Sequence, residues 1–168
     1  ELLAVVPRAD AARDEALVTA ARLVDDVAHR GEEALREQAA RFDRVSDHAL
    51  RVPADHLEEA LRDLAPEIRA ALDAAIERVR TASAAQVPPP VVTEIGVGAR
   101  VTQRWQPVRR VGLYVPGGKA VYPSSVVMNV VPAQIAGVRE VALASPPQSA
   151  FGGRVHPVTL AAARLLGV

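Results

Sequence analysis

Residues 111–137 constrain most strongly what this chain can become. Val111 to Val115 is an apolar, β-prone run. Pro116-Gly117-Gly118 breaks it, and the chain restarts at Pro123-Ser124-Ser125 as a helix. A strand leading through a glycine loop to a helix N-terminus points free backbone N–H groups outward, an arrangement suited to an anion. A second strand, Arg139 to Ser145, follows Gly137, so the unit reads βαβ. Such crossovers are almost always right-handed, and ligands sit beyond the carboxyl ends of the parallel strands. Function is therefore expected in the loop from Pro116 to Ser125.

Upstream the period is helical. Asp14 to His29 carries Leu17, Ala20, Ala21, Val24, Val27 and Ala28 as one apolar stripe, and Gly31 is expected to end it in a left-handed cap. Glu32 to Phe42 predicts a second helix burying Leu35, Ala39 and Phe42, closed by a polar turn through Asp47. Asp55 to Glu58 has the capping-box pattern of a third helix with Leu57, Leu61 and Leu64 inward. Pro66 fits the first turn of a fourth, running to about Ser83 with Ile68, Leu72, Ile76 and Val79 on one side.

Pro88-Pro89-Pro90 marks an edge, after which Val91 to Trp105, with Gly96 and Gly98, predicts a hairpin that Trp105 packs against. Pro132 should kink the helix after the loop or end it early. Pro146-Pro147 and Gly152-Gly153 make a loop, and His156-Pro157 starts a last helix through Leu166. Beyond Gly167 a further parallel strand would be expected. The division is thus a helical part over 1–88, a hairpin connector over 91–107 and a truncated α/β unit over 108–168.

Twenty basic residues balance twenty acidic ones, which argues against bulk attraction to nucleic acid or an anionic membrane. There is no cysteine, hence no disulfide framework and no thiolate metal site. No apolar run approaches the ~20 residues of a membrane span, and no signal-peptide pattern opens the chain. A cytoplasmic protein is expected. The chain opens on Glu1, not Met, which is read as trimming.

The loop itself is neither a Gly-x-Gly-x-x-Gly fingerprint nor a Walker A sequence, since Ala120 stands where Ser or Thr would hold magnesium. Two readings of it stay open: a tight turn that needs glycine dihedrals, or a ligand cradle. Tyr114, near the strand's end, either offers an aromatic face to an adenine or nicotinamide ring or fills core. Ser124 and Ser125 are helix caps first and phosphate donors second. Lys119, the only lysine, stands out in the loop and carries a weaker alternative, a phosphate-binding module. The four histidines (His29, His48, His56 and His156) are scattered, with no i,i+4 pairing to a carboxylate expected, so neither a zinc nor a serine-type site is expected in this chain.

Gly112-Leu-Tyr-Val-Pro-Gly-Gly118, Tyr122-Pro-Ser-Ser-Val-Val-Met-Asn129, Val131-Pro-Ala133, Ile135-Ala-Gly137 and Ala144-Ser-Pro-Pro147 together resemble histidinol dehydrogenase, in order and spacing. Arg30-Gly31 and Arg41-Phe42-Asp43 extend the likeness upstream. The resemblance implies an α/β fold in which a helical N-terminal part precedes an incomplete Rossmann-like parallel βαβ unit. It implies oxidation of L-histidinol through L-histidinal to L-histidine, with two NAD⁺ in succession, a zinc ion and a homodimer. Cofactor contact carries over to Tyr114, with Gly117 and Gly118 shaping the turn. The family's zinc ligands, acid–base pair and remaining contacts lie past Val168, so no catalytic or metal residue is assigned and the chain alone is expected to be inactive. A truncated relative that serves as a binding or oligomerisation module is the rival reading.

Overall fold

The computed structural model describes residues 10–117 and 120–168, and side chains from Asp14 onward. Helix α1 (Asp10–Arg30) turns at Gly31, φ 61°, into α2 (Glu32–Gln38), as the glycine predicted. The guanidinium of Arg30 clamps this corner, donating to both carboxylate oxygens of Asp26 at 2.7 and 2.9 Å and to those of Glu37 at 3.1 and 2.6 Å. Both carboxyls are held below their ordinary range, chiefly by these hydrogen bonds. All three groups face water, so the clamp sets the corner's angle more than its stability.

The second helix departs from expectation. Ala39 is buried as expected, but Leu35 is 40% and Phe42 53% exposed, and Ala34 and Val45 are buried in their place. A π-helical turn over Ala39–Asp43 explains the difference at Phe42. Its wider winding rotates that side chain off the inner face, where the Arg41 guanidinium lies 4.9 Å from its ring centroid. Arg44, in the left-handed region at φ 58°, then ends the turn.

Helix α3 spans Ala54–Arg62 and α4 spans Pro66–Ala84, with Pro66 in the first turn as expected. The capping box does not form. Pro53 is the N-cap residue of α3, and the Asp55 carboxylate, already inside the first turn, accepts from the neighbouring His56 N–H at 3.0 Å. Strands β1 (Val91–Gly96) and β2 (Ala99–Gln103) make the expected antiparallel hairpin, exposed on both faces. Trp105 lies beyond the end of β2. It is itself exposed and borders a groove between α4 and the helix after the loop.

The α/β unit follows as β3 (Arg110–Tyr114), α5 (Pro123–Ile135), β4 (Glu140–Ala144) and α6 (Pro157–Leu165). Strands β3 and β4 pair in parallel without a slip, from Arg110 opposite Glu140 to Tyr114 opposite Ala144. Val126, Val127, Val130 and Val131 of α5 form the centre of the core. Leu72 and Ile76 of α4 close on it from one side and Ala162, Ala163 and Leu166 of α6 from another. From the sheet, Leu113, Val141 and Leu143 pack against it. Helix α5 continues past Pro132 to Ile135, so the proline does not end it early. The carbonyl left without its helical donor belongs to Met128, at an exposed position where water can serve. No helix among the described residues is long and apolar enough to cross a membrane.

Candidate functional site

Parallel register decides where the site can be. Because β3 and β4 run in step, their carboxyl ends emerge side by side, and the ladder extends one residue further through Val115 N–H to the Ala144 carbonyl at 2.9 Å. Side chains alternate across the sheet. Val111, Leu113, Val141 and Leu143 are half-buried, whereas Gly112, Tyr114, Ala142 and Ala144 are exposed. Tyr114 is therefore the last strand residue, 63% exposed, and the next residue, Val115, is fully buried and anchors the exit. An aromatic ring held on a rigid strand end and open to solvent is what the ligand reading of Tyr114 needs.

Past Val115 the loop leans on the segment that follows β4. A Cβ built on Gly117 would stand 3.0 Å from Gln148 Nε2 and 3.2 Å from Pro146 Cγ. A side chain at Gly117 would thus press on Gln148 and Pro146, and the two strand-end loops touch across it. Sequence reasoning missed this second wall. Its signal was Pro146-Pro147 placed directly after a strand, a pair that cannot continue the ladder and must turn. Gly118 and Lys119 lie outside the described residues.

Ser124 and Ser125 do not cap α5. The N-cap residue is Tyr122, no side chain caps the helix, and Pro123 takes the first turn. The Ser125 N–H donates to the Tyr122 carbonyl at 3.0 Å, and its own carbonyl accepts from the Asn129 amide at 2.8 Å. One histidine–carboxylate contact of i,i+4 spacing does exist, against expectation: His29 Nδ1 lies 3.4 Å from Asp25 Oδ1, both about three-quarters exposed on α1. A solvent-exposed pair of this kind contributes little and makes no site. His156 caps α6, its Nδ1 accepting the Val158 N–H at 3.2 Å. Burial holds its pKa below the usual histidine value. His48 Nδ1 is buried with no partner among the described residues. Among these residues no group of three or more His, Asp or Glu side chains could hold a metal ion.

Two grooves lie elsewhere. One, of about 690 Å³, runs between α4 and α5 beside Trp105, Met128 and Pro132. The other, of about 490 Å³, separates α3 from the 151–158 segment, with His56, Glu59, Asp63 and Arg154 on its walls. Neither reaches Tyr114 or Gly117. Their walls are largely helix sides, not strand ends, so the loop retains the stronger claim to function.

Known proteins bear on this geometry. The family model described as Histidinol dehydrogenase matches residues 6–168. Histidinol dehydrogenase of Leifsonia xyli is 59% identical over 164 residues, covering 98% of this chain and 38% of the relative. That of Mycolicibacterium smegmatis is 51% identical over 168 residues, covering 100% of this chain and 38% of the relative. The crystal structure of histidinol dehydrogenase from Elizabethkingia anophelis superposes with a TM-score of 0.84 at 26% identity, over 97% of this chain and 36% of that one. The chain thus spans about 38% of the length of these two curated relatives.

Proposed function

The chain belongs to the histidinol dehydrogenase family, and on that premise we propose that it supplies part of the NAD⁺ cradle of an enzyme oxidising L-histidinol through L-histidinal to L-histidine. In this reading Tyr114 lays its ring against the cofactor, and Gly117 with Gly118 keeps the turn low enough for the dinucleotide to approach. The observation that carries it is the in-register parallel pair β3–β4, ending in an exposed aromatic and followed by a glycine that the second strand-end loop approaches closely. NAD⁺, when bound, accepts the hydride; this chain's part is to bind and orient it and to shield one side from water. Zinc belongs to the proposal only as a metal held outside the chain, because the described residues offer no ligand set. Homodimerisation, a cytoplasmic setting and the division at 88–91 and 107–108 are further parts of the same proposal.

The test is NAD⁺ titration by calorimetry in the natural full-length protein that carries this segment. Tyr114→Ala should weaken binding by about tenfold, the order expected for removing one aromatic face from a binding pocket, with Tyr114→Phe near wild type. Unchanged affinity in Tyr114→Ala would remove Tyr114 from the site. Capture of a partner protein without any NAD⁺ affinity would favour the rival binding module.

A further inference from the structure

The geometry points to Gln148 as a second residue that holds the dinucleotide, donating from its side-chain amide to a phosphate oxygen. This rests on the reading of the Tyr114 loop as an NAD⁺ cradle. The backbone of Gln148 is pinned: its N–H donates to the Arg154 carbonyl at 3.0 Å, and its own carbonyl accepts from Phe151 N–H and Gly153 N–H, each at 3.0 Å. The stem therefore starts from a fixed point shortly after the prolines that turn the chain away from β4. The half-buried side chain crosses to the neighbouring loop and brings Nε2 to 3.0 Å from the place a Gly117 Cβ would take. Its amide, two donors and an acceptor, has no hydrogen-bond partner among the described residues, which do not include the neighbouring Gly118 and Lys119.

A polar group held by rigid backbone against the loop at the end of β3, and unpaired among the described residues, has the features of a ligand contact. Phosphate is the favoured part of the ligand because the amide stands over the glycine, where backbone approaches a ligand most closely, while Tyr114 at the strand end faces the ring. Gln148 is not one of the residues to which the family resemblance assigned a role.

NAD⁺ titrations of the full-length protein with Gln148→Met and Gln148→Glu test this, since both variants keep the stem that lies along Gly117. A hydrogen bond to phosphate predicts that Met weakens binding by about tenfold, as for loss of one bond to a charged acceptor. Glu should weaken it further, since a carboxylate would face the pyrophosphate. A purely structural stem predicts both variants near wild type, and that result overturns the inference. Failure of the wild type to bind NAD⁺ overturns the cradle reading as well. Weakened binding in Tyr114→Ala alongside unchanged binding in both Gln148 variants removes Gln148 only. Unaltered melting temperatures in the variants exclude a loss of fold as the cause.

Discussion

Gly153 shows how a single atom can govern the second wall of the site. At φ 79° it is in the left-handed region, and a Cβ there would meet Val45 Cγ1 at 2.8 Å and the Asp47 carbonyl oxygen at 3.2 Å. Gly153→Ala should therefore lose roughly 1–3 kcal/mol of stability, from backbone strain and overpacking together. Gly152→Ala is the control: its φ is also positive, at 62°, but nothing lies within 4 Å, so only the cost of the left-handed backbone remains, roughly 1–2 kcal/mol. Denaturant melts of the two variants should rank Gly153→Ala below Gly152→Ala; equal losses would mean that Val45 gives way freely. The glycine pair was legible in the sequence as a loop. The identity of what it touches was not, because Val45 lies far upstream and no local pattern encodes that meeting.

Among the elements, α6 makes the clearest pH prediction. His156 caps it through a neutral Nδ1, and burial lowers the folded-state pKa below the ordinary 6.5. The unfolded chain therefore binds the proton more readily, and stability must rise with pH across the gap. The contribution is present above about 6.5 and is lost as pH falls through the lower folded value. His156→Asn keeps a side-chain acceptor that does not titrate, so its melting temperature should fall less between pH 7.5 and pH 5.5 than the wild type's. His156→Ala should lose about 0.5–2 kcal/mol at pH 7.5, as for other helices deprived of a cap. Asp43, whose carboxyl is raised by burial, acts with the opposite sign. Helix starts at Pro66 and Pro157 were readable because proline in the first turn has one local cause. The missed capping box and the missed serine caps share another: in α3 and α5 the entry angle is set by Pro53 and Pro123, which shift the start relative to the polar residues. The π turn was hidden for a similar reason, since an added residue in a helix leaves no mark in composition and is stabilised by what packs on it.

Taken whole, the described residues are held by a small cluster of Ala60, Leu160 and Ala161 and a larger one centred on α5, and are otherwise open. Leu72 of α4 is part of the larger cluster, and Leu72→Ala should lose about 2–5 kcal/mol, reporting the docking of α4 on α5. Around it much apolar surface among the described residues faces water. The parallel pair leaves Gly112, Tyr114, Ala142 and Ala144 uncovered, although parallel sheets are normally covered on both faces. The hairpin is exposed on both sides, and Leu17, Val18 and Val24 of α1 face water. The α/β class was readable from the change of period at Pro88-Pro89-Pro90, because local period is a property of sequence. The bare sheet face was not, because β3 and β4 announce themselves by their apolar residues, and both faces of such strands read alike. These surfaces argue that the 168 residues expressed alone bind hydrophobic dyes such as ANS strongly and lack dehydrogenase activity. Incubation with L-histidinol and NAD⁺ should give no NADH absorbance above background, with or without added zinc. The histidinol dehydrogenase of Leifsonia xyli serves as the positive control in the same measurement. Robust NADH production by the 168-residue chain would mean that the reactive groups are within it, and would overturn the assignment of this segment as cradle alone.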